Sequence, residues 1–370
     1  MKIGTVKEIK THEYRVGMTP GNAKDYIKNG HEVFVQTGAG DGSNLSDEEY
    51  TAAGAKIVSS AEEIWKNCDM VVKVKEPLEK EFPLIREDQI IYTYLHLAAD
   101  RKLTEVLAEK KCKAVAYETI RDKFGGLPLL QPMSEVAGKL SVQIGARCLE
   151  KPMGGRGVLL GGVVGVSKAK VLILGGGVVG TAAMKMAIGL GASVVIMDNN
   201  ISRLTYLDDV FGNQIQTMFS TPAAVEELLP HADLVIGAVL IPGGAAPKLI
   251  RREHLKIMKN GAVIVDVAVD QGGCCETTKM TYHDDPTFVV DGVIHYCVAN
   301  MPGAVSQTST FALTNATISY GLKIANMSLE AAIKTDDGLL KGVNCYKGAI
   351  TCAEVAHVFG MEYKSVMSLI

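Results

Sequence analysis

A chain of 370 residues is long enough for two α/β domains at roughly 150 residues each, and 47% hydrophobic with 21% charged residues excludes a disordered chain. Its 38 Lys and Arg against 41 Asp and Glu leave a net charge of −3, without the basic excess that phosphate-backbone binding requires, so nucleic acid is not an expected partner. The 38 glycines follow no three-residue period and indicate many tight turns rather than a fibrous chain.

Short apolar runs rich in β-branched and aromatic residues occur at 3–6, 32–36, 70–74, 90–95 and 114–117. Helix patterns fill the intervals at 21–29, 46–53, 61–67 and 101–111. Ser46 before Asp47-Glu48-Glu49 is a cap followed by carboxylates, and Asp100 precedes the Leu103/Val106/Leu107 stripe. Such alternation predicts a mostly parallel sheet with helices on its faces. Residues 134–149 read as one long helix with many small residues, followed by a hinge-like loop at 151–157. Strand patterns then recur at 171–174, 193–197, 214–218, 234–237, 262–266 and 294–298, giving a second α/β unit. A turn-rich passage at 302–309 leads into a long helix at 310–326. The tail from 331 to 370 lacks strand-rich content and a core of its own, so it is expected to pack on an earlier domain.

Eight cysteines, at 68, 112, 148, 274, 275, 297, 345 and 352, form no C-x-x-C pair and no Cys/His set with zinc spacing. Reduced thiols in a cytoplasmic protein, and no metal, are therefore expected. The first ten residues hold Lys2, Lys7, Glu8 and Lys10 and no apolar run, unlike a secretory signal. The longest apolar stretch, 171–197, is cut by Lys185 and rich in glycine, so no membrane association is expected.

That stretch carries the most specific signal. Gly175-Gly176-Gly177-Val178-Val179-Gly180 fits G-x-G-x-x-G between an apolar strand and a helix. Gly175 permits the turn, Gly177 admits a pyrophosphate to the backbone, and Gly180 lets helix and strand approach. The helix start offers free N–H groups to the phosphates. The next strand ends in Asp198, 21 residues beyond Gly177, where an acid hydrogen-bonds the adenosine ribose hydroxyls. This ordered context favours a dinucleotide site over an empty glycine-rich turn. An acid at 198 repels a 2′-phosphate and so favours NAD over NADP. Arg203 nearby would suit that phosphate, or simply be a solvated charge on a helix face.

Hydride transfer from an amino or hydroxy substrate also needs a base and cations for a carboxylate. His96 follows the run 90–95, at the carboxyl end of an expected parallel strand, where ligand crevices open. A turn histidine reads the same way on position alone. Lys75 ends Val71-Val72-Lys73-Val74-Lys75-Glu76-Pro77 similarly, although a strand-end lysine is by default solvated. Arg15, before the helix start Thr19-Pro20, would clamp a carboxylate or be a surface arginine. Asp270 closes the apolar run 262–270 before Gln271-Gly272-Gly273, where partial desolvation is expected; a turn aspartate fits too, and Asp266 competes for the role. Asn300 and Met301 follow the strand pattern 294–298 and suit a nicotinamide wall or an ordinary loop. Lys7-Glu8 and Glu79-Lys80-Glu81 read as solvated charges, and Cys274-Cys275 as a buried or turn pair.

Taken together, several blocks in order resemble the alanine dehydrogenase family over nearly the whole chain. They are Lys7-Glu8 through Arg15-Val16 to Thr19-Pro20, Lys75-Glu76-Pro77, Tyr94-Leu95-His96-Leu97-Ala98, Pro132-Met133-Ser134-Glu135-Val136-Ala137-Gly138, Asp270-Gln271-Gly272-Gly273 and Val298-Ala299-Asn300-Met301-Pro302-Gly303-Ala304. The resemblance implies two doubly wound α/β domains: a discontinuous substrate domain, 1–128 plus 307–370, around a Rossmann NAD-binding domain, 129–306. It implies a homohexamer that interconverts L-alanine and NAD+ with pyruvate, ammonium and NADH. Arg15, Lys75 and Asn300 would bind substrate, His96 would be the general acid/base, and Asp270 would assist at the imine and carbinolamine stages. Ser134, Asp198, Arg203, Ser220, Val239, Leu240, Val267, Ala268, Val269, Asp270, Lys279, Val298 and Met301 would join the glycine loop in holding NAD. The sequence departs at Val6 and Val164, where proline is usual, at Lys279, where arginine is usual, and at Ser306-Gln307, where Pro-Arg is usual. The same fold also resembles transhydrogenases and saccharopine dehydrogenases, and a retired, non-catalytic NAD-binding protein is the contrasting class.

Overall fold

The computed structural model describes residues 1–239 and 246–370. The chain divides into two compact units, Met1–Met133 with Val305–Ile370, and Ser134–Ala304.

The first unit begins β1 (Lys2–Thr5), α1 (Pro20–Lys28), β2 (Glu32–Gln36), α2 (Asp47–Ala52), β3 (Lys56–Val58), α3 (Ala61–Asn67), β4 (Met70–Val72), β5 (Ile90–Thr93), α4 (Arg101–Glu109) and β6 (Lys113–Ala116). The helices start where oxygen side chains satisfy their first N–H groups. Thr19 and Ser46 make reciprocal capping boxes with Asn22 and Glu49, and Asp100 accepts from the Leu103 N–H at 2.9 Å. The six strands pair in parallel in the order β3-β2-β1-β4-β5-β6.

The second unit holds most of α5 (Gln131–Cys148), then β7 (Lys170–Leu174), α6 (Val178–Gly189), β8 (Ser193–Asp198), α7 (Ile201–Phe211), β9 (Gln216–Phe219), α8 (Pro222–Leu228), β10 (Leu234–Gly237), β11 (Val263–Asp266), β12 (Thr287–Val290) and β13 (Val293–Tyr296). Its sheet runs β9-β8-β7-β10-β11-β13, all parallel, with β12 antiparallel on the β13 edge. Strands β10 and β11 are buried throughout, as a sheet covered by helices on both faces requires.

The chain then returns to the first unit through α9 (Ser306–Met327), β14 (Val343–Tyr346) and β15 (Ala349–Ile350). Here the expected strand-poor tail is corrected: β14 joins β6 antiparallel and β15 extends the edge. The two hairpins, β12–β13 and β14–β15, turn through two left-handed residues each, Asp291-Gly292 (φ 48° and 80°) and Lys347-Gly348 (φ 48° and 86°). Such pairs match the twist of a tight hairpin. They were readable signals, but strands of two to four residues show too little periodicity to stand out.

Counting the parallel strands alone, each unit thus has the strand order 3-2-1-4-5-6, which reverses direction between its first and fourth strands. In such sheets ligands bind beyond the carboxyl ends of the strands at that reversal. The reversal lies between β1 and β4 in the first unit and between β7 and β10 in the second.

Candidate active site

In the first unit, the segments leaving β1, β4 and β5 bring Arg15, Lys75 and His96 to the same end of the sheet. Arg15 is 2% exposed, so the surface reading is excluded. Its Nε and Nη2 donate to the two carboxylate oxygens of buried Glu13 at 2.6 and 2.5 Å, a planar two-point pair. Nη1 donates to the Met133 sulfur at 3.0 Å. The preceding loop is held from α9, because the Val16 N–H donates to the Thr310 hydroxyl at 3.2 Å.

Lys75 is half-buried, and no hydrogen bond or ion pair holds its ammonium among the described residues. Burial first, and then the Arg15 charge, lower its pKa from the usual 10.5. Its backbone is fixed on both sides: its N–H donates to Glu8 at 3.1 Å, and its carbonyl accepts from the Thr93 hydroxyl at 2.9 Å.

The expectation that Glu8 and Glu81 are solvated is corrected. Both are buried around Lys73, which is fully buried and lies 3.2 Å from Glu8 and 2.8 Å from Glu81. The two carboxylates outweigh desolvation and raise the Lys73 pKa. The other oxygen of Glu8 accepts the Val74 and Lys75 N–H groups, so this buried ion cluster braces the strand exit that carries Lys75.

His96 is exposed and left-handed, with φ 49° and ψ 37°. Such a backbone costs a non-glycine residue on the order of 1 kcal/mol and persists only where neighbours enforce it. Glu118, on the turn after β6, accepts the His96 N–H at 2.5 Å and the Leu95 N–H at 3.1 Å. The imidazole stacks on Tyr94, with centroids 5.8 Å apart and planes at 16°. The Tyr94 hydroxyl in turn donates to the Leu129 carbonyl at 2.5 Å. Glu118 and Tyr94 were not singled out from the sequence.

In the second unit, the glycine loop joins β7 to α6. A Cβ at Gly180 would stand 1.8 Å from the Gly175 carbonyl oxygen, so internal packing demands that glycine. At Gly177 a Cβ would meet nothing within 4 Å, and this N-cap residue has no side chain to cap α6. Val178 is exposed and Val179 half-buried at the same helix start. Open space over uncapped N–H groups is the geometry that accepts a phosphate. Asp198 accepts from the Gly176 N–H at 2.7 Å and the Asn200 N–H at 2.9 Å. Ser220 follows β9 and donates its N–H to the Asp198 carbonyl at 3.0 Å. Arg203 is not a solvated charge: its Nε donates to the Gly176 carbonyl and its Nη2 to the Thr181 hydroxyl, both at 2.6 Å. Ser134 is half-buried on α5, and Gly138, one turn on, packs against Val179 and Ala182.

Val239 follows β10 across the strand-order reversal, whereas Leu240 lies outside the described residues. After β11, Val267 donates its N–H to the Gly237 carbonyl at 2.9 Å, and Ala268 and Val269 are buried. Asp266 is fully buried and accepts from the Ala268, Cys274 and Cys275 N–H groups and the Thr278 hydroxyl. Asp270 is exposed, which corrects its expected desolvation, because the turn Val269–Gln271 lifts it out of the strand layer. Lys248 holds that turn by donating to the carbonyls of Gly272, Gly273 and Cys275 at 2.5, 2.9 and 3.2 Å. Val298 and Met301 are buried, and Asn300 between them is left-handed with φ 58°. The Lys279 ammonium lies 4.5 Å from the centroid of the Phe288 ring on edge strand β12. All eight cysteines are buried and free. Among the described residues, no group of three His, Cys, Asp or Glu is placed to hold a metal ion, and no helix is long and apolar enough to cross a membrane.

Comparison with known proteins reads both units at once. Residues 4–137 match the family model for the alanine dehydrogenase/PNT N-terminal domain, and residues 141–353 match the model for its C-terminal domain. The chain is 51% identical over 370 residues to alanine dehydrogenase of Halomonas elongata, covering all of both chains. The chain belongs to the alanine dehydrogenase family. Alanine dehydrogenase 2 of Staphylococcus aureus is 53% identical over 367 residues, 99% of this chain and 98% of that protein. A solved L-alanine dehydrogenase structure superposes with a TM-score of 0.95 at 52% identity, over 97% of this chain and 99% of that one. A transhydrogenase from Sinorhizobium meliloti shares the fold, with a TM-score of 0.82 at 24% identity, over 95% and 99% of the two chains. As a member of the alanine dehydrogenase family the chain is an oxidoreductase, and its second unit is of the Rossmann type that implies a nucleotide cofactor.

Proposed function

We propose that this enzyme catalyses the reversible, NAD-dependent oxidative deamination of L-alanine to pyruvate and ammonium. The observation that carries the reading is a pair of cations, buried Arg15 and half-buried Lys75, at the same sheet end as a strand-end histidine, in a chain that aligns end to end with alanine dehydrogenases.

The glycine loop fits a dinucleotide: the space over Gly177 is open, the start of α6 is uncapped, and Asp198 closes β8. Asp198 would take the ribose hydroxyls and disfavour a 2′-phosphate, so NAD is the proposed cofactor. Arg203 is already tied to Gly176 and Thr181. The first unit would be the substrate domain, and Ser134, Gly175, Gly177, Val178, Val179, Gly180, Ser220, Val239, Leu240, Val267–Asp270, Lys279, Val298 and Met301 would line the cofactor path. NAD, when bound, would supply hydride-transfer chemistry at the substrate α-carbon.

The chain's own residues do the rest. Arg15 and Lys75 hold the carboxylate and carbonyl of pyruvate, with Asn300 assisting. A carboxylate there offsets the repulsion that the Arg15 charge exerts on partly desolvated Lys75. His96 moves protons as water adds to the imine and as the carbinolamine collapses. Asp270, with no hydrogen bond on its carboxylate among the described residues, assists at the same stage. We also propose a homohexamer located in the cytoplasm, with its thiols reduced.

Initial rates of NAD+ and NADP+ reduction with L-alanine, L-serine and glycine test this directly. L-Alanine with NAD+ is expected to be the fastest pair, and serine or glycine outpacing alanine would overturn the substrate.

A further inference from the structure

His96 has a backbone that its own side chain does not stabilise. Both its ring nitrogens lack a hydrogen bond among the described residues, and its left-handed φ of 49° is disfavoured for a side chain with a Cβ. What holds the bend is a carboxylate from the next strand's exit. Glu118 Oε1 accepts two consecutive N–H groups, Leu95 at 3.1 Å and His96 at 2.5 Å, and Oε2 shares the Leu95 N–H at 3.2 Å. Neither N–H has a strand partner, because β5 ends at Thr93. Without Glu118 the bend would leave the Leu95 donor with no protein acceptor, in a residue that is fully buried.

We propose that Glu118 is a positioning residue for the reaction: it locks the 95–96 bend that aims the imidazole, while Tyr94 fixes the ring plane. The proposal rests on the reading of His96 as the general acid/base. It assigns Glu118 a role through reach, not through charge. Both N–H groups converge on one oxygen, so a glutamine amide carbonyl serves as well as a carboxylate, whereas a shortened aspartate does not span the gap.

The test compares Glu118→Gln, Glu118→Asp and His96→Ala in the full-length enzyme, measuring kcat and KM for L-alanine. Glu118→Asp is expected to lower kcat by about 10²-fold, the scale of a misplaced catalytic group, with KM for alanine nearly unchanged. Glu118→Gln is expected to stay within about fivefold of the parent, since its acceptor survives. Both variants keep a polar group at this position, so the contrast survives even if Glu118→Ala fails to fold. Parental kcat in Glu118→Asp, or equal damage in Gln and Asp, overturns the positioning role. A fully active His96→Ala overturns the underlying reading as well; an inactive His96→Ala beside a fully active Glu118→Asp overturns this inference alone.

Discussion

Lys73 and Lys75 stand two residues apart with opposite surroundings: Lys73 is sealed between Glu8 and Glu81, while Lys75 feels the Arg15 charge and makes no ion pair among the described residues. The first is a structural charge held on by its partners. The second is a charge kept under tension, and a site for anionic substrate needs that kind of lysine.

The tension has a pH signature. A lysine whose folded pKa lies below its unfolded value of 10.5 destabilises the fold fully at pH values below the folded pKa. The penalty fades as pH rises from the folded pKa to 10.5. Lys75→Met removes it, so the stability of the variant relative to the parent is expected to be greatest near neutrality and to fall as pH climbs toward 10.5. Urea midpoints across that range measure the difference; a flat difference contradicts it.

Lys73→Met should act in the opposite direction. It leaves two buried carboxylates facing each other without a cation, a loss of about 3–5 kcal/mol. Denaturant unfolding at neutral pH measures this, and a loss below about 1 kcal/mol would show that the cluster does not brace the β4 exit.

Asp266 and Asp270 should separate stability from turnover. Asp266→Asn weakens four hydrogen bonds to a buried carboxylate and is expected to cost about 2–3 kcal/mol. Asp270→Asn, at an exposed position, is expected to change stability by less than about 0.5 kcal/mol while lowering kcat by roughly 10²-fold or more. Thermal unfolding and alanine oxidation on the same two variants read both effects.

The glycine loop gives a similar contrast. Gly180→Ala places a methyl against the Gly175 carbonyl and is expected to destabilise the second unit by about 3 kcal/mol. Gly177→Ala meets no protein atom, so the variant should keep parental stability yet bind NADH about tenfold more weakly, which NADH fluorescence titration detects. Unchanged NADH affinity in Gly177→Ala would place the pyrophosphate elsewhere.

Much of this was legible in the chain. Apolar periodicity located β2 and α3 to the residue, because each is a local pattern long enough to repeat, and an unbroken apolar run located β10. The cofactor loop was legible for the same reason, since its glycines, helix start and terminal acid lie within one continuous stretch. Lys75 and His96 were marked by their places at strand ends, and Arg15 by its place before the helix start Thr19-Pro20.

Only the tertiary structure decided what surrounds them. Glu8 reaches Lys73 across 65 residues, and Glu118 reaches His96 across 22, so neither pairing leaves a trace in local spacing. Glu8 and Glu81 read as solvated because an isolated charge prefers water; the fold buries them by supplying a cation in return. Asp266 and Asp270 share one apolar run, yet the turn between them buries one and exposes the other. Sequence determined the elements and the order of their chemistry, because those follow from neighbours along the chain. Which charges are sealed and which stand ready for a ligand depends on neighbours in space.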